Sequence, residues 1–239
     1  MTLAVSAHVR WTVLEERAIL LCLQSGRYLG LDPVGTLMWQ GLVAAHTTAQ
    51  ICAEIAQRYQ VPLADVAADY AALLASLRAR GLVTAAPVVG ERPPRALRSR
   101  PWWHGARLPR PRWMQAWYSL LAVSATLRYG GFATGYQYAA RCSHQCRLDT
   151  QRLTVRVSQA LASFGRAENV FLARRGLDDC LARSLSLFVF FRHLGLPAHH
   201  HIGVHGHPFT AHAWVTVEEA PLLEPPEGVQ RFTVLACLS

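Results

Sequence analysis

Cys180 stands at the head of a strongly apolar run, and His212 sits in the middle of an alternating one, AHAWVTV. Thiol and imidazole together make a nucleophile and its base: the ring takes the thiol proton and the thiolate attacks a carbonyl carbon. A carboxylate that holds the ring and fixes its tautomer completes such a set. C-terminal to His212 the candidates are Glu218, Glu219, Glu224 and Glu227. Glu218 and Glu219 fall in the turn EEAP, whereas Glu224 ends a short apolar run, Leu222-Leu223, that would return beside the histidine strand. The candidate catalytic set is therefore Cys180, His212 and Glu224. Taken singly, a buried cysteine is commonly a small hydrophobe and a strand histidine a satisfied core residue. The three types within one short segment point to acyl chemistry.

The elements that must position them follow from pattern. Asp178 and Asp179 suit an N-cap and first turn, and Cys180 to Leu194 is apolar on nearly every face, which predicts a buried helix with Cys180 in its first turn. The helix dipole lowers the pKa of a thiol there, and the two neighbouring acids oppose that shift. Gly195 with Leu196-Pro197 is the expected stop. Two strands follow, His201–Val204 and Ala211–Val217, with a turn around Gly206-His207-Pro208. On the second, Ala211, Ala213, Val215 and Val217 share one face, and His212, Trp214 and Thr216 the other.

The motif Cys180-Leu-Ala-Arg183-Ser184-Leu, Gly195-Leu-Pro, Ile202-Gly203-Val204, Phe209 and Ala211-His212-Ala213-Trp214-Val215 resembles the transglutaminase-like cysteine peptidase domain of lasso peptide B proteins, the leader peptidases. The resemblance implies a papain/transglutaminase-like fold with a Cys-His-acid triad. Cys180 is then nucleophile and His212 base, and Glu224 stands where the family usually has Asp. It also implies two partners: a precursor peptide with a leader, and an ATP-dependent, asparagine-synthetase-like cyclase that closes the macrolactam.

The N-terminal stretch has a different pattern. Strands are expected at Val9–Leu14, Ala18–Leu23 and Arg27–Leu31, with turns at Glu15-Glu16 and Gln24-Ser25-Gly26. Helices are expected from Asp32-Pro33 to Leu42, from Thr47 or Thr48 to Tyr59, and from Leu63 to Arg80, closed by Gly81. This three-strand, three-helix order, with SGRYLGLDPVGTLMWQGL, TTAQICAEIAQRY and LLASLRARGLV, resembles the peptide-recognition domain whose prototype is the small chaperone of pyrroloquinoline quinone synthesis. A small sheet has an open edge to which an extended peptide adds as a strand. The candidate peptide-binding residues are Arg27, Tyr28 and Leu29 on the third strand and Asp69, Ser76 and Arg80 on the last helix.

Composition bounds the rest. The chain has 239 residues, 51% of them hydrophobic, and a net charge of +9 in which all 24 basic residues are arginine. Residues 85–112 are rich in proline and arginine and read as a linker, which sets the expected domains at 1–84 and 113–239. Helices are expected at Pro111–Tyr129, stopped by Gly130-Gly131, and at about Leu153–Leu172. The fold class is α+β: a winged-helix-like N-terminal domain and a papain/transglutaminase-like C-terminal one.

Six cysteines are scattered without a secretion signal, so thiols in a cytoplasmic protein are expected. No apolar run reaches membrane-spanning length. Cys142-Ser-His144-Gln-Cys146 and the histidines at 199, 200, 201, 205 and 207 are metal-ligand types, yet the cysteine pair has no second pair and strand alternation separates the histidines. No metal and no cofactor is expected. Two other readings fit parts of the chain: a non-catalytic precursor chaperone that delivers substrate to the cyclase, and a winged-helix DNA regulator. The second lacks a basic recognition helix, since Leu63 to Leu77 contains no arginine or lysine, and no nucleic-acid partner is expected.

Overall fold

The structure is a computed structural model that describes residues 3–85, 112–145, 151–170 and 180–239. The chain forms two compact units, Met1–Val9 with Leu31–Arg110, and Arg10–Gly30 with Pro111–Ser239.

In the first unit the three helices expected from sequence are present. Asp32 caps α1 (Pro33–Val43) by accepting the Gly35 N–H at 2.6 Å, and Pro33 supplies a preset φ at the first position. α2 (Thr48–Tyr59) opens with a reciprocal capping box between Thr47 and Gln50. α3 (Leu63–Ala79) is followed by Gly81 at φ 68, the left-handed stop the sequence predicts. Their apolar stripes meet in one core of Met38, Ile51, Cys52, Ile55, Val66 and Tyr70. An antiparallel strand pair not foreseen from sequence, β1 (Leu3–Val5) with β5 (Val83–Ala85), ties the two ends of this unit together.

The second unit begins with a sheet in the order β2 (Val9–Leu14), β3 (Arg17–Cys22), β4 (Arg27–Gly30). The β2–β3 turn holds Glu15 and Glu16 at φ 49 and 64, as a type I′ turn requires. Among the described residues β4 is an edge strand. From Arg10 onward these strands fall in the second compact unit.

The rest of this unit comprises α4 (Arg112–Gln145), α5 (Leu153–Val170), α6 (Cys180–His193), β6 (Ala198–His205), β7 (Thr210–Val217), β8 (Ala220–Leu222), α7 (Pro226–Gln230) and β9 (Thr233–Leu238). The four strands form an antiparallel sheet in the order β8-β7-β6-β9. α6 is buried from Ser184 to Arg192 and packs against α4 and against β6 and β7. Gly195 ends it at φ 72, as expected.

The expected stop at Gly130-Gly131 is corrected. Gly131 breaks the helix with φ 73 and ψ −178, and the chain then resumes as helix to Gln145. That conformation is almost confined to glycine. α7 and β9 were not foreseen. Of the expected linker at 85–112, Ala85 belongs to β5 and Arg112 to α4; residues 86–111, the capping pair Asp178-Asp179 and Cys146 lie outside the described residues.

Candidate active site

Cys180 is the first residue of α6 and is half-buried. With Arg183, Ser184, Leu187, Ala213, Trp214, Leu223 and Glu224 it lines a cavity of about 180 Å³. α6 is held by its apolar body, and its first two turns, from Cys180 to Leu187, meet the cavity, so the thiol sits on a rigid element at a cleft.

His212 is fixed by the strand register. It pairs with Gly203 across β6–β7, and Trp214 pairs with His201. A Cβ on Gly203 would lie 2.7 Å from Trp214 Cη2, so the missing side chain is the space the indole occupies. Trp214 stacks on His201 at 5.4 Å and on His212 at 6.1 Å, with interplanar angles of 20° and 15°. Phe232 lies 5.3 Å from the imidazole and 6.1 Å from the indole, so the three rings form one aromatic cluster that packs His212 in place.

Glu224 arrives by the return strand anticipated from sequence. β8 pairs with β7 through a Glu218-Glu219 turn with both residues left-handed, φ 48 and 67. Leu223 is also left-handed at φ 60, an unusual state for a bulky side chain, and it turns the chain immediately before the carboxylate. Glu224 Oε1 lies 3.1 Å from His212 Nε2. The structure therefore brings Cys180 and Glu224 to one cavity and joins Glu224 to His212.

Two cavity-lining neighbours of Cys180, Arg183 and Ser184, each have a further partner. Arg183 grips Glu168 of α5 with two bonds, Nε to Oε1 at 2.7 Å and Nη2 to Oε2 at 3.2 Å. The Glu168 hydrogen bond raises the Arg183 pKa against the opposing effect of burial, and the charges of Glu168 and Glu224 add to the rise. A fixed cation therefore stands beside the candidate acid. Ser184 donates to the Leu181 carbonyl at 3.2 Å and meets His200 Nε2 at 3.0 Å. His200 is fully buried, and burial pushes its pKa down to about 3. Arg183 and Ser184 were visible as neighbours of Cys180 at helical spacing. Glu168 carried no signal, because its role depends on how α5 packs.

The peptide-binding candidates fall on two elements. Arg27, Tyr28 and Leu29 form the edge strand β4 of the second unit. Asp69, Ser76 and Arg80 share one face of the first unit's α3, and at its C-terminal end Arg80 Nε donates to Ser76 Oγ at 3.3 Å. Among the described residues no three His, Cys, Asp or Glu side chains cluster as a metal site requires. Cys22, Cys52, Cys142, Cys180 and Cys237 are thiols. No helix among the described residues is long and apolar enough to cross a membrane.

Residues 117–237, half of the chain, match the family model of the transglutaminase-like superfamily. The chain belongs to the transglutaminase-like superfamily. All three candidate catalytic residues of this transglutaminase-like chain lie within that stretch. Residues 17–83 match coenzyme PQQ synthesis protein D. Two solved structures are similar in part. One is TbiB1 in complex with the TbiA(beta) leader peptide, 30% identical over 34% of this chain and 94% of that one, with a TM-score of 0.33. The other is a lasso peptide synthetase B1 complexed with the leader peptide, 25% identical over 36% of this chain and 100% of that one, with a TM-score of 0.34. Among curated proteins nothing matches the chain.

Proposed function

We propose that this protein is a cysteine peptidase that binds the leader of a ribosomally made precursor and removes it, freeing the core peptide's amino group for macrolactam formation by an ATP-dependent, asparagine-synthetase-like cyclase. The observation that carries the reading is the Glu224–His212 contact at 3.1 Å beside the cavity that Cys180 lines. The superfamily match and the leader peptides bound by the two B1 relatives support it.

The chemistry follows from the donors. Glu224 accepts from His212 Nε2, which leaves Nδ1 as the basic nitrogen of the neutral ring. That nitrogen takes the Cys180 proton, and Sγ attacks the carbonyl carbon at the end of the leader. The resulting imidazolium gives its proton to the departing amine, the C–N bond breaks, and the leader remains as a thioester on Cys180. Water, deprotonated by the same ring, then attacks the thioester, and the thiolate leaves with the proton returned. Glu224 holds the ring and stabilises its charged form in both halves. For recognition, the leader pairs with the open backbone edge of β4 from Arg27 to Leu29. Asp69, Ser76 and Arg80 of α3 are separate candidate leader contacts on the first unit.

The test follows precursor by mass spectrometry with wild type and Cys180→Ala, the cyclase present. Cleavage at one bond, lost in the variant while leader binding persists, is the expected result. Equal product from both proteins would instead favour a non-catalytic chaperone.

A further inference from the structure

Arg183 and Ser184 stand three and four residues after Cys180, so the helical period brings all three to one face of α6. All three line the cavity of about 180 Å³. Arg183 gives two of its five N–H groups to Glu168, which is not part of the cavity lining. Among the described residues the other three N–H groups have no protein partner, and 37% of the side chain is exposed against 18% for Glu168. Ser184 has its hydroxyl hydrogen on the Leu181 carbonyl, which leaves Arg183 as the charged donor among the described residues that line the cavity. The ion pair does little for the fold. α5 and α6 already meet through Phe164 and Phe190, both fully buried with ring centroids 6.1 Å apart, and a partly exposed ion pair adds little to stability.

From this arrangement we infer that Arg183 is a substrate-binding residue: its unshared N–H groups donate to a backbone carbonyl of the leader beside the scissile bond, and Glu168 fixes the plane of the fork. Charge decides between a carbonyl and an acidic side chain as the acceptor. Glu168 neutralises Arg183, and Glu224 on the same cavity leaves one net negative charge while the ring of His212 is in its neutral resting form. A substrate carboxylate would meet that charge, whereas a peptide carbonyl takes the hydrogen bond without it. Leu187, Ala213, Trp214 and Leu223 make much of the remaining lining apolar, so a carbonyl that leaves water here needs a donor or bears the cost of its desolvation. A backbone contact reads position rather than sequence, so Arg183 sets which peptide bond lies against the sulfur. The inference rests on the peptidase reading above and adds that the cavity recognises main chain at the cut, apart from the leader segment bound elsewhere.

The experiment compares two fluorescent peptides on the full chain, the whole precursor and a leader that stops short of the scissile bond, with folding of every variant checked by circular dichroism. Binding is followed by anisotropy in the Cys180→Ala background, so nothing is cut. Adding Arg183→Met should weaken the precursor about tenfold, the worth of one charge-assisted hydrogen bond, and leave the Kd of the shortened leader as it was. In the cleaving protein Arg183→Met should lower kcat/KM by a similar factor, carried by KM. The charge-reversed pair Arg183→Glu with Glu168→Arg keeps an ion pair between α5 and α6 but takes the cation from the cavity, and it should show the same rise in KM. Equal changes in both Kd values, zero included, or a wild-type KM in the charge-reversed pair would reduce Arg183 to a link between two helices and overturn the inference. A wild type that cuts nothing would sink the peptidase reading, and the two-peptide comparison would still judge Arg183.

Discussion

His212 Nε2 and Glu224 Oε1 are 3.1 Å apart, with the two side chains 22% and 28% exposed. The pair is sheltered enough for the carboxylate to orient the ring, yet open enough for substrate to reach the other nitrogen. Glu224→Gln keeps the size and loses the charge that supports the imidazolium. Its kcat should fall by about 10²- to 10⁴-fold, the range of general acid–base assistance, with leader affinity unchanged. Glu224→Asp keeps the charge on a shorter stem and should fall between. A Glu224→Gln enzyme with wild-type kcat would remove Glu224 from the mechanism.

Gly203 is required by space rather than by backbone. A methyl group there would meet Trp214 at 2.7 and 2.8 Å and the Cβ of Phe232 at 3.0 Å. These two rings also hold His212. Gly203→Ala should destabilise the fold by about 1–3 kcal/mol, as overpacking does, and should lower kcat through displacement of the imidazole. Urea midpoints and single-turnover rates measure the two effects separately.

Much of this site could be read from the chain, because its parts are local. The Cys180 helix, the His212 strand and the return to Glu224 each announce themselves by period, cap or turn. What escaped depended on packing. Gly130-Gly131 looks like a helix end, and nothing before it shows that the chain re-enters a helix after a single residue outside helical φ/ψ. Glu168 reaches Arg183 only because α5 lies beside α6. The grouping of β2–β4 was half visible: Ala18 to Cys22 is apolar at every position and fully buried, the mark of a strand covered on both faces. Such a run shows that a second layer exists without saying which elements supply it. Tyr28 was expected as a leader contact by position on an edge strand, and its edge-on packing against Phe209 lay in that same undetermined layer.

Acid should weaken the fold through His200. Its pKa falls from 6.5 to about 3 on burial. The unfolded chain therefore binds a proton that the native ring refuses between those values. Stability from this group is fully present above pH 6.5 and is lost as pH drops toward 3, by up to about 4 kcal/mol. Urea unfolding between pH 7 and pH 4 should show that slope, and His200→Gln, which cannot take the proton, should flatten it. An unchanged slope in the variant would assign the acid sensitivity to other groups.

The β7–β8 turn leaves room for improvement. Glu218 and Glu219 both adopt left-handed φ in the two-residue connection that carries the chain toward Glu224. Left-handed backbone costs an ordinary L-residue roughly 1–2 kcal/mol, and Asn-Gly is the pair best suited to a type I′ turn. Both glutamates are exposed, and their turn is separate from the cavity lining. The double replacement Glu218→Asn with Glu219→Gly should raise Tm by about 2–4 °C for a net gain near 1 kcal/mol, since the added freedom of glycine in the unfolded chain offsets part of the relief. Calorimetry of wild type and double variant gives the answer. A lower Tm would mean that the glutamates contribute contacts that outweigh their backbone strain.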